Sequence, residues 1–436
     1  MYIIGINFGY KETTASLYDT ENRLGMVKRL HILDGNTSES CIIESAVGRN
    51  WRGGEWQLVK DVCDCCVPDI SNDFIGPMNA MTPKKKEAFA AFVRLVFAHI
   101  LKNQEFLHYN PVTCERNFEI YVALGKENID QAKEYKNFIS SIIPLDWVIP
   151  DSLAVYFKFK TEKGYKGNFL GSSALVINID SRSIDFTAYN ENGKQSLLKV
   201  YEHGSSAIEN LIYKYFEEHD ENFNIAKEEG EALCSSIDWR NAVIHYINSK
   251  KEWFYNSELS GLCLDLSNRY ICNGKRRVFD DCVISEKQLE DEILAPYRQT
   301  LLQDMNDVKQ RLAKEKNGIP EVVILAGKSS RMPWLQRLVK DVFSDSQVFR
   351  DHEPLYVVSD GLVYYGTGIP KMKSAIENLK TSIATAFHEF HIQDYNTAYA
   401  DYVISKMQDF LEDEHMLEYA KKEPEKQEEP IRLKKS

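Results

Sequence analysis

The chain lacks any apolar run close to the roughly 18 to 20 residues that a membrane-spanning helix needs. It opens straight into a β-type segment with no basic leader ahead of it, so a cytoplasmic location and no membrane partner are expected. Positive charge is in deficit. The 53 Lys and Arg face 65 Asp and Glu, a formal net charge of -12, which argues against a broad electrostatic surface for nucleic acid or anionic lipid. A paired disulfide framework is missing as well. The nine cysteines are odd in number and scattered, at Cys41, Cys114, Cys234, Cys263, Cys272, Cys282 and a cluster of Cys63, Cys65 and Cys66. That is the usage of reduced thiols rather than of a secreted scaffold. The cluster has C-x-C spacing with no second Cys or His pair nearby, and it reads as a loop with incidental thiols rather than as a metal site.

What is present suffices for a large fold. With 436 residues, 43% of them hydrophobic, the chain can bury a sizeable core and is expected to form two or more domains. "IIGINFGYKETTASLYD" (3–19) reads as strand, tight glycine turn and strand, hence a hairpin. "MTPKKKEAFAAFVRLVFAHILK" (81–102) has Thr82 as N-cap and Pro83 at the first helical position. Its apolar stripe is Phe89, Phe92, Val93, Val96, Phe97 and Ile100. A buried strand "FEIYVAL" (118–124), a helix over 129–142 and the apolar "WVIPDSLAVYFKF" (147–159) follow.

The opening pattern then returns as "SALVINIDSRSIDFTAYN" (173–190), again strand, short polar turn and strand. A helix from Ser205, a polar helical stretch to about residue 258, the strand "LCLDL" (262–266), a helix near 286–315 and "PEVVILAGKSSRMPWLQRLVKDVF" (320–343) complete the repeat. This recurrence suggests a duplicated α/β unit with a cleft between the copies. Residues 371–420 read as helical and 421–436 as a charged, disordered tail. Within "EVVILAGKSSRMP" (321–333), Gly327-Lys328-Ser329 matches the end of a phosphate-loop motif. The place of that motif's first glycine is Val322, inside a strand, so the match fails. Amides at the following helix start remain able to face a ligand.

Five segments, in order and approximate spacing, resemble the nucleotide-binding domain of the 70-kDa heat-shock chaperones (DnaK-type), a branch of the actin and sugar-kinase ATPase superfamily. They are "IIGINFGYKETTASLYD" and "ALVINIDSRSIDFTAYN", similar to two phosphate hairpins, "VIPDSLAVYF" and "VVSDGLVYYGTG" (357–368), similar to two connecting helices, and "LAGKSSRMP", similar to an adenosine loop. The resemblance implies an α/β fold of duplicated ribonuclease H-like, actin-like ATPase lobes, at 1–157 and 158–370, around a cleft for ATP or ADP. The 371–420 helices would be free to meet a protein partner. It stops before the chaperones' peptide-binding β-module, for which no sequence follows residue 370.

Carried over by position, the resemblance also implies a lost charge. Where the family holds hydrated magnesium with two aspartates, this chain has Asn7 and Asn178. Amides keep an oxygen but not the anionic ligand that a hard cation selects. Tyr10 and Lys11 follow Gly9 in the first turn, and Asp180, Ser181 and Arg182 replace the glycines of the second, ahead of Ser183. Side chains there narrow the approach of backbone to phosphate. Lys11 and Arg182 are either solvated loop residues or a positive charge in place of the cation. The family's catalytic carboxylate aligns with Ile149, or, shifted by two, with Asp151, whose alternative role is a helix N-cap. The nucleoside end is better kept: Gly327, Ser329, Ser330 and Arg331 match the adenosine loop and Asp360 the second connecting helix. Gly204 matches a glycine-led helix start, Lys251 a ribose-contacting lysine or else a surface lysine, and Lys60 a phosphate-contacting lysine by position alone.

The leading expectation is therefore a chaperone-related nucleotide-binding protein with weak or lost ATPase activity, acting as an interaction or regulatory module. The alternatives are a working ATPase or kinase of the same superfamily, using Asp151 or Asp185 as base, and an actin-like filament subunit.

Overall fold

The computed structural model describes residues 1–21, 26–33, 41–49, 54–59, 74–164, 173–190, 194–232, 236–256, 261–266, 271–272, 275–276, 281–314 and 318–368. Lys60, the Cys63, Cys65 and Cys66 cluster, Cys234, the 371–420 segment and the 421–436 tail lie outside the described residues. The fold is α/β, with mixed sheets and helices.

The first sheet gathers β1 (Tyr2–Phe8), β2 (Glu12–Asp19), β3 (Lys28–Arg29) and β4 (Ile42–Glu44). A ribbon of β5 (Val47–Arg49) and β6 (Trp56–Leu58) stands beside it, and β7 (Phe118–Leu124) and β8 (Trp147–Pro150) complete it. Its order is β3-β2-β1-β7-β8, with β4 on β2. The second sheet uses β9 (Ala174–Ile179), β10 (Ile184–Tyr189) and β11 (Gln195–Tyr201). Two ribbons, β12 (Gly261–Leu264) with β15 (Cys282–Ser285) and β13 (Ile271–Cys272) with β14 (Lys275–Arg276), precede its last strands, β16 (Val322–Ala326) and β17 (Gln347–Arg350). Its order is β11-β10-β9-β16-β17. Both sheets put an antiparallel meander of three strands beside two parallel strands, in the same order and sense.

Helices cover the parallel strands, which explains why β7, β9 and β16 are apolar runs rather than alternating ones. α1 (Pro83–Asn103) starts where the sequence says it should: the Thr82 hydroxyl oxygen accepts the Lys85 N–H at 3.3 Å, and proline occupies the first turn. All six residues of its predicted stripe are buried, each contributing about 1.5–3 kcal/mol through apolar burial. The helix expected over 129–142 is instead a 3-10 turn, Lys126–Gln131, and α2 (Ala132–Ser140). The short strand Trp147–Pro150 runs into α3 (Asp151–Gly164). After the second hairpin come α4 (Ser206–His219), α5 (Glu221–Glu231) and α6 (Ser236–Asn256). The helix expected at 286–315 is a π-turn, Gln288–Ile293, followed by α7 (Ala295–Lys314). α8 (Pro333–Val342) and a helix over 357–368 finish the described chain.

Three apolar cores result. One lies under the first sheet with α1 and α2, and one under the second with α4 to α8. The third joins the sheets: Ile3 and Tyr121 of the first meet Val176 and Ile324 of the second across Ala154 of α3 and Leu362 of the 357–368 helix. The two sheets are thereby packed on shared helices, with a crevice left where their strands end. No helix among the described residues is long and apolar enough to cross a membrane.

Candidate functional site

The carboxyl ends of β1, β7, β8, β9 and β16 all face one cavity of about 170 Å3 between the sheets. Chain ends of parallel strands are where open α/β sheets present ligand-binding loops. The wall brings together Asn7, Gly9, Tyr10 and Lys11 from the first turn, Asn178, Ser181, Arg182 and Ser183 from the second, Asp151 from the start of α3, and Gly327 and Ser329 from the loop after β16. In the sequence these residues are spread from position 7 to position 329. Gly327 is held at φ 79°, a left-handed conformation in which a Cβ would collide with the Ile179 carbonyl.

Other sequence candidates are placed away from that wall. Gly204 lies behind the second turn, where a Cβ would strike the Asp180 carbonyl and the Ser183 amide. Ser330 is fully buried and its hydroxyl has no hydrogen-bond partner, while the Arg331 carbonyl accepts from Arg350 at 3.0 Å. Asp360 is not part of the cavity wall: Ser16 donates to it at 2.5 Å and Lys158 at 2.9 Å. Lys251 is not a surface lysine. It is buried against the Glu209 carboxylate of α4. Ile149 belongs to the shared core, which leaves Asp151 as the carboxyl at the head of α3.

The second turn is tied down by its own chain. The amides of Gly204, Ser205 and Ser206 each donate, at 2.8 Å, to the carbonyls of Arg182, Asp180 and Ser181. The Asp180 carboxylate accepts the Ser181 N–H at 2.5 Å, so an internal anion already takes an amide that a phosphate would use. Across the cleft, the Arg182 guanidinium stacks over the Tyr10 ring at 3.6 Å from its centre. The two turns therefore touch each other.

Ion pairs complete the closure. Lys11 Nζ lies 3.6 Å from Glu209, Lys328 Nζ 2.5 Å from Glu12, and Lys126 Nζ 2.8 Å from Asp185. Each joins the part of the fold built on the first sheet to the part built on the second. Burial, with the neighbouring Lys251 charge, pulls the Lys11 ammonium below its ordinary value against the attraction of Glu209. Burial likewise lowers Lys328 despite Glu12. For Lys126 burial acts in the same direction, but the Asp185, Asp180 and Asp151 carboxylates outweigh it and hold the ammonium up. Burial raises the Asp151 carboxyl well above the usual range, reinforced by Asp185. Asp151 is the first residue of α3, and it accepts the Ser152 N–H at 2.6 Å and the Asn178 amide at 3.2 Å. It opens the helix and lines the cleft at once.

Glu12, Glu127, Asn248 and Lys328 also line the cavity and were not anticipated from the sequence. For Glu127 a signal existed: "GKE" follows directly on the apolar strand "FEIYVAL", the position of a strand-end loop. Burial raises its carboxyl too. Magnesium does not fit this wall. Asn7 and Asn178 offer neutral amides, the Asn178 NH2 group points at Asp151, and no group of three or more His, Cys, Asp and Glu among the described residues is placed to hold a metal.

A larger cavity, about 840 Å3, opens among α4, α6 and α7, with His203, Tyr213, Arg240 and Tyr297 in its wall. It shares no lining residue with the strand ends, and the chemistry gathers in the smaller one. No protein-family model and no curated protein matches the chain.

Proposed function

We propose that the chain is a heat-shock-70-like nucleotide-binding protein, built on two actin-like ATPase lobes, that has lost ATPase turnover and works as an interaction or regulatory module. One observation carries the reading: the strand-end cleft assembles both hairpin turns and the glycine loop, yet the contacts across it are made by the protein's own charges. The same strand order and sense in two sheets supports the duplicated fold. The loss of turnover follows from the paired amides, which leave a hydrated cation without its anionic ligands. The cavity is also smaller than the roughly 300–1,000 Å3 usual for small-molecule sites, so the nucleoside enters only as the lobes part.

The test is the melting temperature and phosphate release of the purified chain with ATP and ADP, with and without magnesium. Nucleotide at about 100 times its dissociation constant stabilises by about 2.7 kcal/mol, and no phosphate is released. Magnesium-dependent turnover, or no shift with any nucleotide, rejects the reading. A second reading, a working hydrolase or kinase, draws on Asp151 alone: a buried carboxyl with a raised affinity for its proton, in the cleft, is fitted to general acid–base work. Turnover abolished by Asp151→Asn would favour it.

A further inference from the structure

We propose that Lys11, Arg182 and Lys328 form a metal-free site for the polyphosphate chain of a nucleotide, the three cations converging on the cavity from the first turn, the second turn and the loop after β16. This rests on the nucleotide-cleft reading and adds to it the replacement of magnesium by side chains. Three of the wall's charged groups are positive, and each is held by something an anion can replace: Glu209 at 3.6 Å from Lys11, Glu12 on Lys328, and the Tyr10 ring under Arg182. The carboxyls on the same wall are each disfavoured as anions or already engaged. Asp151 and Glu127 hold their protons more tightly than ordinary carboxyls because they are buried, and Asp180 is occupied by the Ser181 amide.

Glu209 supplies an independent observation. It is fully buried, one of its oxygens has no hydrogen-bond partner, and it faces both Lys11 and Lys251. One carboxylate against two ammonium groups leaves local positive charge uncompensated. An incoming phosphate oxygen would take up Lys11 while Lys251 stays with Glu209. Lysine binds phosphate as a point charge and arginine through a planar fork, so the set suits an extended chain of anionic oxygens. A cavity of about 170 Å3 accommodates that chain and not a whole nucleotide.

The experiment follows the melting temperature of the full chain with ATP, ADP, inorganic tripolyphosphate and adenosine, each in EDTA and in excess magnesium. ATP and tripolyphosphate raise the melting temperature in EDTA. Magnesium weakens ATP binding, since it neutralises the charge that the three side chains recognise. Lys328→Gln and Arg182→Gln each weaken metal-free binding about tenfold, the size of one charge-assisted contact, and Lys328→Arg retains it. Arg182 is exposed, so Arg182→Gln should keep the fold, and ligand-free melting at the parent's temperature is the check. Tighter ATP binding with magnesium, or unchanged metal-free affinity in both glutamine variants, overturns the proposal. A shift with adenosine but none with tripolyphosphate also overturns it and leaves the nucleotide-cleft reading standing. A shift with tripolyphosphate and none with ATP or ADP upholds the anion site and rejects the nucleotide reading.

Discussion

The two hairpin turns occupy the same place in sheets of the same order and sense, yet they are held by different means. The second turn, at Asp180 to Ser183, is fixed by three backbone hydrogen bonds from the start of α4 and by its own aspartate. The first turn, at Gly9 to Lys11, is anchored within its own half by Ser45, whose hydroxyl donates to the Gly9 carbonyl at 2.5 Å and whose amide donates to the Lys11 carbonyl at 2.8 Å. Beyond that, its side chains reach across the cleft to Glu209 and Arg182. A repeated topology therefore specifies where a loop sits and not how it is stabilised. The second turn has the larger set of backbone anchors, and the first adds to its Ser45 anchor an ion pair reaching across the cleft.

The largest effect should come from removing the charge on which both halves converge. Glu209→Gln leaves Lys251 buried without its counter-ion, and breaking such a pair costs about 3–5 kcal/mol. Urea denaturation measures it, and a loss below about 1 kcal/mol would show that Lys251 finds water or another partner. Next is Gly204→Ala, which tests the backbone clamp of the second turn. Its new Cβ meets backbone atoms, which cannot swing away, and overpacking of this kind costs about 1–3 kcal/mol. If the variant melts like the parent, the second turn is as pliable as the first.

Much of this arrangement was legible in the sequence, because local pattern governs it. Thr82 and Pro83 mark the start of α1, the apolar runs at 118–124, 174–179 and 322–326 are the central strands, and Gly327 marks the turn that needs a left-handed residue. The strands Gln195–Tyr201 and Gln347–Arg350 were not legible. Both lie at sheet edges, half exposed, and their mixed residues carry no clear period. The ion pairs were illegible for another reason. Lys328 and Glu12 are 316 residues apart and Lys126 and Asp185 are 59 apart, and nothing local in a lysine says which carboxylate it will meet. Lys251 illustrates the point: helical spacing leaves it looking like a surface residue, and only packing buries it.

Burial raises Asp151, so the folded protein holds a proton there that the unfolded chain releases. The resulting stability is present below the ordinary carboxyl value, about 4, and is lost as pH rises toward the raised value. Burial acts the same way on Glu209, but Lys251 and Lys11 outweigh it and lower that carboxyl. Its stability is present above the ordinary value and is lost as pH falls through the lowered one. Denaturation between pH 4 and 8 should therefore show Asp151→Asn gaining on the parent as pH rises, while the deficit of Glu209→Gln stays nearly level there and shrinks only as pH falls below about 4. Parallel curves for parent and Asp151→Asn would mean that Asp151 titrates like an exposed carboxyl.

The smallest effect separates the first turn's contacts by exposure. Glu12 and Lys328 meet at 2.5 Å with about a fifth of each side chain exposed, 20% and 23%, whereas Glu209 is fully buried. A partly solvated pair is screened by salt and contributes about 1 kcal/mol or less. Glu12→Gln should lower stability by that amount, and the difference should shrink in 1 M salt. The same change also frees Lys328 for the cleft. If that lysine serves polyphosphate, Glu12→Gln loses stability without ligand and binds tripolyphosphate more tightly than the parent. A variant that loses both would place the Glu12 and Lys328 pair among the supports of the first turn and not among its competitors for anion.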